Sequence, residues 1–169
     1  MIERDGDVEI AYDSRMSGGN NKIESVEHKV FANNGIVYGV AGSSAFLNAT
    51  AHADLPQITV GYRAQEERYV TNALIPAIRK ALDKAEPGTT DHDVMILAVV
   101  NGKVFEISGT LGWTRSTSGQ YSIGSGSFYA LGAMSAGATV MQAVAISATH
   151  DHHTGDTIRG VNASALLHE

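Results

Sequence analysis

The polar residues best suited to chemistry lie in two turns that bracket a pair of predicted helices. The first is the GSGS turn at 124–127, which places hydroxyls at the positive end of the helix that follows it. The second is the DHHTG turn at 151–155, which ends the helical stretch and leads into a last predicted strand at 157–159. Taken alone, Ser125 is typical of a helix cap and Asp151 of a turn after a helix.

Histidines surround the carboxylate of the second turn. His150, His152 and His153 flank Asp151, and imidazole combined with carboxylate suits zinc or nickel. Adjacent histidines point in divergent directions in a regular element, however, and a structural site needs about four ligands. The GSGS turn also lacks the Gly-Lys-Ser/Thr of a phosphate-binding loop. We therefore expect neither a transition-metal site nor a nucleotide site here.

A second pair of charged residues stands near the N-terminus. Asp13 follows a predicted strand at 8–12, and Lys29 lies sixteen residues later on the predicted strand His28–Ala32. By themselves they are a carboxylate in a turn and an ammonium on the solvent face of a strand. A buried ammonium without a partner is costly, so a lysine with a role inside a site needs a carboxylate such as Asp13.

Together these residues resemble the β-type subunits of the proteasome and the bacterial HslV peptidase. In that family a Gly-Ser-Gly turn precedes a helix of small residues, and a turn similar to Asp-x-x-Ser-Gly follows the helix. Here Thr154 stands in the place of that serine. The family's aspartate and lysine have the same separation as Asp13 and Lys29, and the resemblance covers nearly the whole chain.

The resemblance implies an N-terminal-nucleophile hydrolase. In such enzymes the hydroxyl of an N-terminal threonine attacks the peptide carbonyl, and the threonine's own α-amine, which titrates near pH ~7.7–8.0, is the base. Lys29 would supply positive charge that favours the deprotonated nucleophile, and Asp13 would hold Lys29. Ser125, Asp151 and Thr154 would surround the amine.

The sequence as printed does not contain that nucleophile. Aligned on Asp13 and Lys29, it begins about four residues after the family's catalytic threonine, and neither Met1 nor Ile2 carries a hydroxyl. One hypothesis is a threonine-type endopeptidase of unfolded polypeptides whose nucleophile lies upstream. The other is a catalytically inactive ring or scaffold. The Asp-Ser-Arg at 13–15 is similar to virus-encoded members of the family, so a role in host interaction belongs to this second hypothesis.

The resemblance also implies an assembly and its partners. We expect a homo-oligomeric ring of six or seven subunits, stacked face to face, with an unfoldase ATPase and a polypeptide substrate as partners. Small residues in the second half permit close approach between chains or within one chain: Gly132, Ala133, Ala136 and Gly137. No cofactor is expected, although relatives hold Na⁺ or Mg²⁺ on backbone carbonyls in the region that corresponds to Ala148–Thr154.

Composition excludes several other classes of protein. The 169 residues are 43% hydrophobic and 18% charged, which fits one globular domain spanning 1–169. The net charge is −6 and there is no basic run, so binding to nucleic-acid phosphates is not expected. The absence of cysteine excludes disulfides and thiol nucleophiles. The chain has no apolar run of about 20 residues and no signal peptide at its start, so we expect a cytoplasmic protein.

Hydrophobic patterning predicts an α+β fold with antiparallel sheets. The run VMILAVV at Val94–Val100 predicts a strand buried on both faces, and Asn-Gly pairs at 34–35 and 101–102 predict hairpins. Helices are predicted to cover the sheets, whereas Met16–Asn21 reads as a loop. The resemblance implies a four-layer αββα sandwich. The predicted helices are Ala45–Ala53, Glu66–Ala85 with a kink or one unmade backbone hydrogen bond at Pro76, and Phe128–Thr149 broken at Gly137.

Overall fold

The computed structural model describes residues 1–18, 21–25, 29–62 and 64–168. The strands are β1 (Ile2–Arg4), β2 (Asp7–Asp13), β3 (Arg15–Gly18), β4 (Asn21–Glu24), β5 (Val30–Asn33), β6 (Ile36–Gly42), β7 (Val94–Val100), β8 (Lys103–Ile107), β9 (Trp113–Thr114) and β10 (Ile158–Asn162). The helices are α1 (Ser44–Ala51), α2 (Glu66–Tyr69), α3 (Ile75–Ala85), α4 (Ser127–Ser135), α5 (Val140–His150) and α6 (Ala163–Leu166). Each of these helices is too short or too polar to cross a membrane.

The strands form two main antiparallel sheets and one separate hairpin. The larger sheet has the order β5-β6-β7-β8-β9, the smaller has the order β1-β2-β10, and β3 pairs only with β4 among the described strands. Strand β7 is the third of five, so the predicted central strand is confirmed. Both predicted hairpins are confirmed too. Their Asn-Gly pairs at 34–35 and 101–102 have the two positive φ angles that a two-residue type I′ turn requires.

Alternation along β7 explains why its sequence is continuously apolar. Val94, Ile96, Ala98 and Val100 face one buried cluster, whereas Leu97 and Val99 face another. A strand with a core on each side needs apolar residues at every position. This strand is therefore the common wall of two hydrophobic cores.

Those cores separate four layers. On the outer side of the larger sheet, α1 and α3 pack through residues such as Phe46, Ile78 and Leu82. Between the sheets, Val8 and Ile10 of β2 meet the residues of β7 and β8. On the outer side of the smaller sheet, α4 and α5 pack against Ile2. The predicted αββα sandwich is confirmed.

One local prediction fails, and one short strand was not predicted. Of the segment predicted as a loop at Met16–Asn21, residues 16–18 and Asn21 lie in the paired strands β3 and β4, whose register runs from Arg15↔Glu24 to Gly18↔Asn21, and residues 19–20 lie outside the described residues. Its polar, glycine-rich residues carry no alternating pattern, so the pairing depends on tertiary contacts. The sequence also gave no sign of β1, which is only three residues long. His28, the first residue of one predicted strand, lies outside the described residues, and β5 covers the rest of that strand.

The long predicted helix is present in three parts. A π-helical stretch, Val70–Leu74, joins α2 to α3, and the Ile75 N–H donates to the Val70 carbonyl. Pro76 then falls in the first turn of α3, where a missing N–H costs little. The predicted disturbance at Pro76 is therefore absorbed by a wider helical turn.

Candidate active site

The end of β2 carries a carboxylate that pairs with a lysine beside β5. Lys29 Nζ lies 2.8 Å from Asp13 Oδ1, and their side chains are 22% and 12% exposed. The Lys29 carbonyl accepts from Val40 N at 2.9 Å, which ties the lysine backbone to β6. Because both charged groups are mostly buried, the pair is held in one geometry. The expected ion pair is present.

The second oxygen of Asp13 is occupied by the backbone. Asp13 Oδ2 accepts from Gly155 N at 2.9 Å and from Arg15 N at 3.2 Å. Each carboxylate oxygen thus has its own partners, and Oδ1 remains directed at Lys29. The Gly155 contact also links this pair to the turn after α5, which is 142 residues away in sequence.

Ser125, Asp151 and Thr154 form a compact hydrogen-bonded group. The hydroxyls of Ser125 and Thr154 each donate to Asp151 Oδ2 at 2.6 Å. Burial alone would raise the pKa of Asp151, but these two hydrogen bonds and one from His153 N outweigh burial and hold that pKa below its ordinary value. The carboxylate therefore stays ionised at neutral pH. Ser125, whose proton points to Asp151, presents acceptor lone pairs to any donor in front of it.

Glycine is required in the turn before α4 because the two turns touch. A Cβ at Gly126 would lie 2.6 Å from Thr154 Oγ1 and 3.0 Å from Ser147 Cβ. The Gly126 carbonyl accepts from Ser147 Oγ at 3.1 Å, which fixes the turn on α5. The expected helix cap by Ser125 is wrong. The capping residue of α4 is Gly126, without a side-chain bond, and the Ser125 hydroxyl goes to Asp151 instead.

Arg15 clamps the second turn to β3, and sequence reasoning missed this contact. Its guanidinium binds Asp156 in bidentate fashion at 3.0 and 2.9 Å. Arg15 Nη1 also donates to the carbonyls of His152 and Thr154 at 3.1 and 3.0 Å. Two carbonyls of the predicted Na⁺ or Mg²⁺ region thus already accept from a cation that the protein supplies. The sequence displays Arg15 in Asp-Ser-Arg, but it does not indicate that Arg15 binds Asp156, which lies 141 residues away.

The three histidines around Asp151 contact different residues, although the rings of His152 and His153 also meet edge to face at a centroid distance of 6.0 Å. His150 stacks on Tyr129 with a centroid distance of 5.3 Å. His153 Nδ1 lies 2.9 Å from Ser17 Oγ, and His152 Nδ1 lies 3.4 Å from Lys22 Nζ. Within the described residues, no three His, Asp or Glu side chains converge as a metal site requires.

Both groups of site residues open into one cleft. Its volume is about 1050 Å³, and its walls include Asp13, Lys29, Ser125 and Thr154. The pair and the triad therefore face the same space between the end of β2 and the GSGS turn. A reacting group in that space would meet an ammonium on one side and a hydroxyl acceptor on the other.

Comparison of the whole fold finds similar solved structures. Thiobacillus denitrificans BPH in complex with epoxomicin is similar over 95% of this chain and 94% of that chain, with 19% identity and a TM-score of 0.74. The structure of Thiobacillus denitrificans BPH alone gives 20% identity and a TM-score of 0.70. Eukaryotic HslV from Trypanosoma brucei covers 95% of both chains at 17% identity, with a TM-score of 0.63. At these identities the comparisons show the fold alone, which is an HslV-like αββα sandwich. No family model and no curated protein sequence matches the chain.

Proposed function

We propose that this fold serves a threonine-type endopeptidase of unfolded polypeptides, whose nucleophile is an N-terminal threonine on a segment upstream of Met1. The observation that carries the proposal is the convergence of two preorganised groups on one cleft. The Lys29–Asp13 pair can lower the pKa of a hydroxyl, and Ser125 can accept from an amine. A terminal threonine has both of these groups on one residue.

Sheet pairing supports an upstream position for that threonine. On one side β1 pairs with β2 through Ile2↔Glu9, and on the other Ile2 bridges to Gln120. Met1 continues the second pairing, since its nitrogen donates to Tyr121 O at 2.7 Å and its carbonyl accepts from Tyr121 N at 2.9 Å. If residues before Met1 continued both pairings, each of them would lie between one residue of β2 and one residue of 122–125.

The two registers converge on the site. The fourth residue before Met1 would stand opposite Ser125 on one side and opposite Ser14, next to Asp13, on the other. Four extended residues span about 13 Å, which carries the chain into the cleft. This position is the one at which alignment on Asp13 and Lys29 expects the catalytic threonine.

In this proposal each residue of the site has a separate role in peptide hydrolysis. The threonine amine takes the hydroxyl proton as the oxygen attacks the peptide carbonyl, and it returns the proton to the leaving amine. An ester to the threonine results, which water hydrolyses to release the acid. Lys29 stabilises the alkoxide character of the attacking oxygen, and Asp13 holds Lys29 in position. Ser125 orients the amine, and Asp151 with Thr154 holds Ser125.

The test compares three forms of the chain. One begins at Met1, one carries Thr-Thr-Ile-Val before Met1 with a free amine, and a matched control carries Ala-Thr-Ile-Val. Hydrolysis of fluorogenic peptide amides is expected only in the form with terminal threonine. Lys29→Met in that form is expected to lower kcat/KM by at least about 100-fold, since charge next to the nucleophile acts in the transition state. Equal rates in the threonine and alanine forms would end the proposal.

A catalytically inactive ring or scaffold, with a host-interaction role, is the second candidate. It applies to a chain whose mature start is Met1. There burial lowers the pKa of the terminal amine to about 5, and this amine donates to the Tyr121 carbonyl while Met1 offers no hydroxyl. Mass spectrometry of the N-terminus of the native protein distinguishes the two candidates, because only a peptidase retains an upstream threonine.

For either candidate we propose assembly through the α4–α5 layer into rings of six or seven subunits. Residues 116–149 contain no Asp, Glu, Lys or Arg, although much of this layer is on the surface. Phe128 is 86% exposed, and Tyr129, Met141 and Ile146 are between 40% and 46% exposed. Gly132, Ala136 and Gly137 are exposed as well, so another copy can approach closely. A patch of this kind favours association with a second copy.

The other outer layer differs in character. Helix α3 exposes Arg79, Lys80 and Lys84, which suits solvent. Multi-angle light scattering of the native chain is expected to give an oligomer, and Phe128→Glu is expected to shift it towards smaller species. A native monomer at micromolar concentration would contradict this assembly. An unfoldase ATPase would then have no ring to dock on.

A further inference from the structure

Glu106 lines the same cleft as the site residues, and none of the roles above uses it. Along β8, Val104 faces the core between the sheets, and Phe105 and Ile107 face the opposite core. Alternation therefore directs Glu106 to the side of Val104, towards the space between the two sheets. The register sets it opposite Leu97, which also lines the cleft.

The carboxylate of Glu106 has no hydrogen bond or ion pair with any residue in the part of the chain that the structure describes. Partial burial raises its pKa above the ordinary value. The buried Glu66 differs from Glu106, since its carboxylate accepts hydrogen bonds from Lys103 and Asn101 at 2.9 and 3.1 Å. A half-buried carboxylate without such donors costs stability.

The charged side chains of the cleft wall that have no ion-pair partner among the described residues are acidic. Among the residues that the structure describes, the wall has two basic side chains with fixed charge, and both are paired, Lys29 with Asp13 and Arg15 with Asp156. Asp93, at the rim, adds a second carboxylate with no side-chain partner among the described residues.

The wall near these two acids is otherwise largely apolar. The residues that supply it come from α1 and from the inner strands of the larger sheet: Ala41, Leu47, Met95 and Leu97. Apolar walls that lead to a carboxylate fit a side chain with a long aliphatic stem and a cationic head.

We infer that Glu106 is a specificity-determining residue, and that the cleft selects polypeptide substrates with a lysine or arginine side chain on the acyl side of the scissile bond. This inference rests on the proposed peptidase function. The aliphatic stem packs against the apolar wall, and the ammonium or guanidinium pairs with Glu106. Asp93 adds attraction at the entrance, where water screens it more strongly.

A kinetic test uses the form with terminal threonine and two fluorogenic peptide amides that differ only in lysine or norleucine before the cleaved bond. The lysine substrate is expected to have a kcat/KM at least about 10-fold higher, the size of one charge-assisted hydrogen bond. Glu106→Gln is expected to remove this preference and leave norleucine hydrolysis within about 3-fold. Glu86→Gln, on the exposed end of α3, is the matched control and should change neither rate.

A binding test does not depend on catalysis. Acetyl-Ala-Ala-Lys-amide and acetyl-Ala-Ala-norleucine-amide are titrated into the chain as printed, and amide chemical shifts are followed by NMR. The lysine peptide is expected to bind at least about 10-fold more tightly, and Glu106→Gln should equalise the two peptides.

The two tests separate the inference from the function on which it rests. If neither peptide is cleaved but the lysine peptide binds through Glu106, the peptidase proposal fails and the cationic site stands. If both are cleaved at equal rates, or if the lysine preference survives Glu106→Gln, the inference about Glu106 is overturned and the peptidase proposal stands. Thermal unfolding of each variant excludes misfolding as the cause of either result.

Discussion

Removal of the Lys29 charge is the perturbation that the structure defines best. Lys29→Met keeps the aliphatic stem and deletes the ammonium. The Asp13 carboxylate, which is 12% exposed in the native pair, then keeps two peptide N–H donors among the described residues. A hydrogen bond to a charged group contributes about 1.5–3 kcal/mol to stability. The two remaining donors and the solvent in the open cleft still stabilise the carboxylate, so we expect the free energy of unfolding to fall by about 2 kcal/mol. For a chain of this length that corresponds to a fall in Tm of about 4–8 °C.

The assay is urea and thermal unfolding at fixed protein concentration, followed by circular dichroism. Asp13→Asn and the double variant complete a cycle, in which we expect a coupling energy of about 1–2 kcal/mol because the two groups are in direct contact. Lys80→Met is the matched control on the exposed surface of α3 and should change stability by less than about 0.5 kcal/mol. A cycle that is additive, or a Lys29→Met variant as stable as wild type, would refute the reasoning about the pair.

Three further predictions concern stability. Gly126→Ala should destabilise the fold and separate the two turns, because its Cβ would lie 2.6 Å from Thr154 Oγ1; loss of Tm with loss of the Ser125 contact by NMR checks this. Glu66→Gln should cost about 2 kcal/mol at pH 7, because the hydrogen bond from Lys103 lowers the pKa of Glu66 from 4.5 to about 2. Since that pKa is depressed, the cost should be present above pH 4.5 and vanish as the pH falls through 2; a pH-independent cost in urea titrations would contradict it. Glu106→Gln should raise Tm at pH 7, since burial raises the pKa of Glu106 and its ionised form opposes folding, and the gain should disappear in acid; a loss of Tm at pH 7 would reveal a partner.

Much of the site was accessible from the sequence because its residues lie in locally recognisable turns. The GSGS and DHHTG turns stand at opposite ends of the α4–α5 pair, so a short stretch of chain brings Ser125 to Asp151. Asp13 and Lys29 were found by their separation and by resemblance to HslV and proteasome β-subunits. The structure shows their ion pair, whereas their catalytic roles remain a proposal.

The fold was predictable where pattern and turn chemistry agree. An unbroken apolar run of seven residues that ends at an Asn-Gly turn fits a strand with a core on each face, and β7 is such a strand. Asn-Gly pairs adopt positive φ at low cost, so both hairpins follow from two residues each. These features depend on the backbone preferences and hydrophobicity of neighbouring residues, which a sequence displays directly.

Only the tertiary structure decided the contacts that join distant segments. The Arg15–Asp156 ion pair joins residues 141 positions apart. The pairing of β3 with β4 could not be predicted either, because their sequence shows no hydrophobic alternation. The direction of Glu106 into the cleft depends on the register of β8 against β7, which shifts a side chain to the other face with each single step. Charge and sequence position reveal that a carboxylate exists, but whether it has a partner is decided by which segments the sheets bring beside it.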